Sequence, residues 1–181
     1  MHPEKKIVCR FPTDQDLTKD RVQNLSDLIN AVYDDAESGM WKRQGIRTSP
    51  DEVKQLLMEQ RLILAEIDGV VVGSVKVDLV GGSIGEFGML VADVNHRGKG
   101  VGSALIRAAE QWAKRMDCAT MQLELLAPHR WNHPSKESLK KWYRKIGYEP
   151  QSVESFEKLD PDKFAELATE CDFTVWHKRL V

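Results

Sequence analysis

Hydrophobic positions recur along this chain with two periods, and each period predicts one kind of element. A helical period predicts four amphipathic helices. Two of them cover 17–37 and 103–116, one begins at Ser49 and Pro50, and one has Ser135 as its N-cap and ends at Gly147. β-Branched and aliphatic runs predict strands over 6–11, 61–67, 70–80, 84–92, 120–127 and 173–180. We also expect a loop over 40–48 and a short helix from Pro161.

Turn residues indicate how the strands connect. Asp68 and Gly69 predict a tight hairpin between two strands, and the glycine-rich turn 81–83 leads into the next strand. The nearly continuous apolar run 120–127 is typical of a buried strand that pairs in parallel. No internal repeat or low-complexity linker interrupts the pattern. These features predict a single α+β domain over residues 1–181.

A glycine-rich segment joins the strand 84–92 to the helix 103–116, and it ends in Arg97, Gly98, Lys99, Gly100, Val101 and Gly102. Glycines at a helix start let several backbone N–H groups approach one anion, and the helix dipole favours negative charge there. The spacings of the P-loop and of the dinucleotide fingerprint are both absent. The remaining pattern predicts a diphosphate site to which Ser103 adds a hydroxyl, with a ligand-free turn as the alternative.

Three features together resemble the GNAT acetyltransferase superfamily. The glycine-rich segment is similar to that family's coenzyme A pyrophosphate loop, and the segment 139–148 is similar to its second signature, which contains Tyr143. Glu86 stands eleven residues before Arg97, the spacing of the catalytic glutamate in the histone-acetylating branch. The resemblance covers roughly residues 60–150. It implies a mixed, twisted sheet of six to seven strands, flanked by helices, whose fourth and fifth strands splay apart around acetyl-CoA.

The resemblance also implies roles for individual residues. The backbone of Leu90, Val91 and Ala92 would bind the pantetheine arm, and the amides of 98–102 would bind the pyrophosphate. Tyr143 would donate a proton to the departing thiolate. An ordinary core strand and a core tyrosine are the alternatives. Glycine inside a strand, here Gly88, suits a bulge or a close ligand approach.

Glu86 is the first candidate for a general base. An amine is mostly ammonium near neutral pH, and partial burial on a central strand raises the pKa of a carboxyl group toward a useful value. Glu124 and a water chain are alternatives, and a surface glutamate without a catalytic role stays equally open. The family often has an asparagine at the start of the second-signature helix, but Lys136 stands there. Asn132 lies nearby, out of register, and is a further candidate for cofactor binding.

Composition excludes several other classes of protein. The chain has 181 residues, 41% of them hydrophobic, with a net charge of −2 and a pI near 6.2, a balance that argues against nucleic acid as a ligand. No apolar run approaches the ~18 residues of a membrane span, and no signal peptide begins the sequence. Three separated cysteines favour reduced thiols and a cytoplasmic location. His129 and His133 lack a third ligand nearby, so no metal site is expected.

These observations predict an acetyl-CoA-dependent N-acetyltransferase that acts on a primary amine by direct transfer. A small-molecule acceptor is favoured over a protein lysine or N-terminus, because the segment 151–170 is long enough to narrow a peptide groove. Its six acidic residues, together with Trp41, favour a cationic amine. A non-catalytic acyl-CoA-binding module is the alternative of another class. The sequence leaves open whether the chain forms a homodimer.

Overall fold

A computed structural model describes residues 6–43 and 46–181, so the predicted loop 40–48 lies in part outside the described residues. Seven strands form one sheet in the described chain: β1 Val8–Arg10, β2 Leu62–Ile67, β3 Val70–Val80, β4 Ile84–Ala92, β5 Thr120–Pro128, β6 Glu149–Glu154 and β7 Cys171–Arg179. The helices are α1 Lys19–Ala36, α2 Pro50–Met58, α3 Val101–Arg115, α4 Pro134–Lys145, α5 Phe156–Leu159 and α6 Pro161–Ala165.

The strand order is β1-β2-β3-β4-β5-β7-β6, with β4 and β5 parallel and the other neighbours antiparallel. This arrangement confirms the predicted mixed sheet and its order of elements. Helices α3 and α4 pack on one face, where the core includes Phe87, Ala109 and Tyr143. Helices α1 and α2 cover the other face of β2–β4, with Ile29 and Leu57 in the core. The site therefore lies between two helical layers.

Strands β4 and β5 pair over less than half of their length. Their partners run from Ile84 and Thr120 to Phe87 and Leu123, and no pairing continues beyond that point in the described residues. A β-bulge accompanies the divergence, because two residues of β4, Met89 and Leu90, lie opposite one residue of β3. The predicted splay is confirmed. The positive φ of +45° falls on Met89, next to the glycine at which a bulge was expected.

Several predicted boundaries were wrong by a few residues. Helix α4 begins at Pro134 with His133 as its N-cap, so Ser135 lies in the first turn and not at the cap. Proline favours the first helical position because its fixed φ suits a helix and its missing N–H would be unpaired there. Helix α1 begins at Lys19, since Asp14–Leu17 forms a separate 3₁₀ turn. The short helix α5 was not predicted from the sequence.

Candidate active site

The glycine-rich segment forms the entry to helix α3. Gly98 and Gly100 have φ values of +79° and +84°, which glycine adopts without the steric penalty of a side chain. The N–H groups of Gly98, Gly100, Val101, Gly102 and Ser103 find no acceptor among the described residues, whereas that of Lys99 donates to the carbonyl of His96 at 3.2 Å. Five unpaired amides at a helix start suit an anion. The amide of Lys99 is not among them.

The residues of this segment differ in burial and in what they contact. Val101 is buried in the core, so only its N–H group is available to a ligand. The side chains of Arg97 and Lys99 are exposed and form no ion pair within 6–43 and 46–181. A Cβ at Gly102 would lie 3.1 Å from Cη2 of Trp142 on α4, so the helices α3 and α4 approach closely there. Glycine at 102 thus has a packing reason besides any ligand.

The divergence of β4 and β5 opens a cavity of about 430 Å³. From Gly88 to Ala92, the edge of β4 that faces β5 has no strand partner in the described chain. The side chain of Val91 is buried beneath α1 and α2, while Leu90 and Ala92 pack toward the α3 side. What this edge offers a ligand is therefore main-chain N–H and C=O groups, the groups with which an extended chain pairs.

Glu86 belongs to a row of three polar side chains across β4, β5 and β7. Register places Glu86 beside Gln122 and Gln122 beside His177. The side-chain amide of Gln122 donates to Glu86 at 2.6 Å, and its oxygen lies 2.9 Å from Nε2 of His177. Burial raises the pKa of Glu86, and the hydrogen bond from Gln122 opposes that rise. Neither Gln122 nor His177 was predicted as a site residue.

Glu124 lies two residues beyond Gln122 on β5 and also lines the cavity. Its carboxylate has no hydrogen bond or ion pair among the described residues. Partial burial, followed by repulsion from Glu86, raises the pKa of Glu124 to about 7, although part of the side chain is exposed. Two carboxylates in one cavity thus differ in environment: one is held by an amide, and the other is free to accept a proton near neutral pH.

Tyr143 lies on the α4 side of the same cavity. It is 6% exposed, and its ring is stacked on Trp142, with ring centroids 5.5 Å apart, and meets Phe87 edge-on. Burial raises the pKa of the Tyr143 hydroxyl, so the group stays protonated at neutral pH and can donate a hydrogen bond. The structure therefore brings Tyr143, Glu86 and Glu124 together around one space.

Comparisons with known proteins agree with this geometry. The family model described as Acetyltransferase (GNAT) family matches residues 26–148, more than half of the chain. The chain belongs to this family. A search of curated proteins finds no match. The comparison with solved structures finds many similar folds.

Three of these structures illustrate the likeness. The PaiA N-acetyltransferase of Thermoplasma acidophilum, in complex with coenzyme A, has a TM-score of 0.71 at 14% identity, over 96% of this chain and 99% of that chain. YncA of Salmonella typhimurium, solved with its cofactor acetyl-CoA, has a TM-score of 0.67 at 14% identity, over 97% and 95%. The N-acetylglutamate synthase of Neisseria gonorrhoeae, complexed with coenzyme A and N-acetyl-glutamate, has a TM-score of 0.67 at 14% identity; this chain is 99% covered but spans only 36% of the synthase. At 14% identity, the likeness to these three structures shows a shared fold and no more.

The GNAT helix α4 begins differently from the family pattern noted in the sequence. Lys136, at the position where asparagine was expected, is buried and binds the carboxylate of Glu37 at 2.8 Å. Glu37 also accepts a hydrogen bond from Trp41 at 2.7 Å. The carboxylate of Glu37 therefore links the start of α4 to the end of α1. Asn132 is exposed and does not line the cavity. Its role in cofactor binding stays a prediction.

The connection between β6 and β7 covers one side of this cavity. Phe156, Leu159, Asp160 and Lys163 of that connection line the cavity. Its backbone is hydrogen-bonded to the segment after α1, because Ala168 N–H donates to the Met40 carbonyl at 2.9 Å and Lys42 N–H donates to the Glu166 carbonyl at 2.8 Å. The β6–β7 connection and the segment after α1 are thus joined to each other.

The described part of the chain contains neither a metal-binding cluster nor a membrane-spanning helix. No group of three His, Cys, Asp or Glu side chains there could hold a metal ion. Among residues 6–43 and 46–181, no helix combines the length and apolar character that crossing a membrane requires.

Proposed function

We propose that this GNAT chain is an acetyl-CoA-dependent N-acetyltransferase that acts on the primary amine of a small molecule by direct transfer. The observation that carries the proposal is the fork between β4 and β5. One unpaired strand edge and a cavity with two carboxylates and a tyrosine meet there, and five unpaired amides follow at the start of α3, just after β4 ends. When bound, acetyl-CoA would supply an activated acetyl thioester at this fork.

The residues present fit this cosubstrate. The amides of 98 and 100–103 would hold the pyrophosphate, with charge from Arg97 and Lys99 and a hydroxyl from Ser103. The main chain of 90–92 would hold the pantetheine arm, since that edge lacks a strand partner. An N–H group of this edge near the acetyl oxygen would stabilise the negative charge that develops during attack.

The acidic groups of the cavity would prepare the acceptor. Glu86, or alternatively Glu124, would remove a proton from the ammonium group, and the free amine would form the new N–C bond as the C–S bond breaks. Tyr143 would donate its hydroxyl proton to the leaving sulfur and regain a proton from the acetylated nitrogen, which loses its second proton as the amide forms. A thiolate with a pKa of about 8.5 is a fair leaving group, so the help needed from Tyr143 is modest.

The closed acceptor side supports a small molecule over a protein segment. Because the β6–β7 connection is hydrogen-bonded to the segment after α1, through Ala168 to Met40 and Lys42 to Glu166, these two described segments are held together beside the cavity. A protein acceptor would need these hydrogen bonds to open. The non-catalytic alternative is disfavoured by the presence of a perturbed carboxylate pair and a protonated tyrosine in one cavity.

Calorimetry with acetyl-CoA, followed by thiol release with a panel of amines, tests the proposal. Gly100→Ala places a methyl group beside the helix-start amides, and we expect acetyl-CoA binding to weaken tenfold or more. Gly82→Ala is the matched control, because Gly82 also has a positive φ of +75° and open space around it, in the β3–β4 turn. Equal loss of binding in both variants, or none in either, would contradict the assigned loop.

The pH dependence of transfer distinguishes the two carboxylates. If Glu86 is the base, Glu86→Gln lowers turnover on the high-pH plateau, where wild-type carboxylates are ionised. If Glu124 is the base, Glu86→Gln keeps the plateau and moves the acid limb below about pH 7, because repulsion from Glu86 contributes to the raised pKa of Glu124. An unchanged profile in both Glu86→Gln and Glu124→Gln would favour a water chain.

A further inference from the structure

The charged groups that line the cavity divide into paired and unpaired ones. Three lysines each bind a carboxylate at 3.0 Å or less, in the pairs Lys76–Asp78, Lys136–Glu37 and Lys163–Asp160. Charges paired at such distances largely cancel at a ligand a few ångströms away. These three pairs therefore define neither a cationic nor an anionic acceptor site.

Arg47 is the exception among the cavity cations. Its guanidinium lies over the ring of Tyr33 on α1, 4.7 Å from the ring centroid. It forms no ion pair with an acid in the described parts of the chain, and the neighbouring Asp160 is already bound by Lys163. The Tyr33 ring packs against one face of the guanidinium and the Tyr33 hydroxyl interacts with it, while its other N–H groups have no acceptor among the described residues. Arg47 therefore presents an uncompensated, oriented positive charge to the cavity.

Glu124 is the corresponding exception among the acids. Glu86 is held by Gln122, and Glu52 accepts the hydroxyl of Thr48 at 2.9 Å at the start of α2. Only Glu124, of the cavity acids in 6–43 and 46–181, lacks a hydrogen bond and an ion pair. Among the described residues the cavity thus carries one cation without an ion pair, Arg47, and three acids without one, Glu52, Glu86 and Glu124, of which Glu124 also lacks a hydrogen bond.

We infer that the acceptor is an amino-carboxylate, whose ammonium group binds at Glu124 and Glu86 and whose carboxylate binds at Arg47. This inference rests on the proposed function and names its substrate class. A planar guanidinium matches a carboxylate with two parallel N–H···O bonds, which a lysine cannot provide. The purely cationic acceptor expected from the acids of 151–170 is less suitable, because Asp160, the member of that group that lines the cavity, is neutralised by Lys163.

The ammonium group of the acceptor loses its charge during transfer, whereas the carboxylate keeps its charge. Acetylation converts the ammonium group to a neutral amide: one proton passes to the base before attack, and a second leaves the nitrogen as the C–S bond breaks and protonates the departing thiolate through Tyr143. The product therefore loses its attraction to Glu124 but keeps its attraction to Arg47. Arg47 contributes equally to substrate and product binding, so its loss is expected to raise KM more than it lowers kcat.

A matched series of acceptors tests the inference through thiol release from acetyl-CoA. Each set contains an amino-carboxylate, its primary amide and its decarboxylated amine, and the sets differ in the number of carbons between amine and carboxylate. We expect the wild-type enzyme to favour the carboxylate of at least one set tenfold to hundredfold in kcat/KM, the range of a charge-assisted hydrogen-bond pair. Arg47→Met removes that preference, so that the carboxylate, the amide and the decarboxylated amine of a set react with similar kcat/KM. Arg47→Lys retains part of it.

Arg130→Met is the matched control, because Arg130 is exposed, binds Glu170 and lies outside the cavity. Equal rates for carboxylate, amide and amine in every set would overturn the inference while leaving the acetyltransferase intact. A preference that survives in Arg47→Met would overturn the assignment to Arg47. Absence of thiol release with every compound would overturn the proposed function itself, and this inference with it.

Discussion

Leucine in place of Gln122 removes the N–H group that donates to Glu86 at 2.6 Å. A hydrogen bond to an ionised carboxylate stabilises the charged form and lowers its pKa, so its removal raises the pKa of Glu86 above the value that burial already gives. Such a bond is worth about 1.5–3 kcal/mol, or roughly one to two pH units. Because Glu86 is only half-buried, water replaces part of the loss, and we expect a rise of about one unit.

His177 has an indirect effect on the same pKa. Its Nε2 lies 2.9 Å from the side-chain oxygen of Gln122, so an N–H group there keeps the amide turned with its own N–H toward Glu86. Phenylalanine at 177 frees the amide to rotate, and we expect a smaller rise in the pKa of Glu86. Glutamine at 177 keeps a donor and is expected to restore the wild-type value. The other charges near the row stay in place: Lys76, Asp78, Glu124 and, opposite His177 on β6, Glu149.

Carbon-13 NMR titration of the Glu86 carboxyl group measures this pKa without any acceptor. The signal is assigned by its loss in Glu86→Gln. Nitrogen-15 spectra of the histidines report, in the same samples, whether Nε2 of His177 carries the proton. Coincident titration midpoints in wild type and Gln122→Leu would refute the argument, as would a His177→Gln midpoint as high as that of His177→Phe.

Three further predictions concern Tyr143, Glu124 and Asp16. Tyr143→Phe should lower turnover about tenfold to hundredfold, because the variant has no proton to donate to the leaving thiolate, while acetyl-CoA affinity is unchanged. Turnover equal to that of the wild type would remove Tyr143 from the mechanism. Glu124→Gln should raise the free energy of unfolding by about 1 kcal/mol at pH 8 but not at pH 4. A carboxyl whose folded pKa of about 7 exceeds its unfolded value destabilises the fold increasingly as pH rises from the unfolded pKa to the folded one, and fully above it. A gain at both pH values would contradict this, and chemical denaturation measures it. Asp16 is 2% exposed and is bound by Arg10, which lowers the pKa of Asp16. The stabilisation that ionised Asp16 gives the fold is therefore complete above the unfolded pKa of about 3.9 and is lost as pH falls through the folded pKa. Asp16→Asn should therefore cost about 2–3 kcal/mol at pH 7 and less near pH 2, and equal costs at both would refute the ion-pair account.

Local chemistry explains why much of the fold was predictable. The bounds of β3 and β4 were predicted to the residue, because each strand is delimited by turn residues with positive φ, such as Gly69 at +77° and Gly82 at +75°. Helix α3 was located to within two residues by its apolar stripe. In each case the signal lies within a few residues of the feature that it predicts.

The cavity charges could not be predicted in the same way, because pairing across elements depends on register. Gln122 and Glu124 are the alternating polar positions of an apolar strand, a signal visible in the sequence, but His177 follows more than fifty residues later on β7. Counting acids in 151–170 indicated a cationic acceptor, whereas the structure shows that Asp160 is bound by Lys163. A sequence reports which charges are present but not which of them cancel.

The bulge at Met89 connects the fork to its chemistry. A positive φ at a residue other than glycine costs about 1–3 kcal/mol and persists only where packing holds it. Met89 is 8% exposed in the core beneath α1 and α2, which supplies that packing. The bulge turns β4 away from β5 just beyond the last paired residues, Phe87 and Leu123. Glu86 lies one residue before this point on β4, and Glu124 lies one residue after it on β5. The same distortion that exposes main-chain groups for a ligand therefore places two carboxylates at the apex of the fork, where partial burial raises the pKa of both. The raised pKa values of Glu86 and Glu124 follow from this arrangement of β4 and β5, so a variant in which β4 lacks the bulge at Met89 should have lower pKa values at both carboxyl groups.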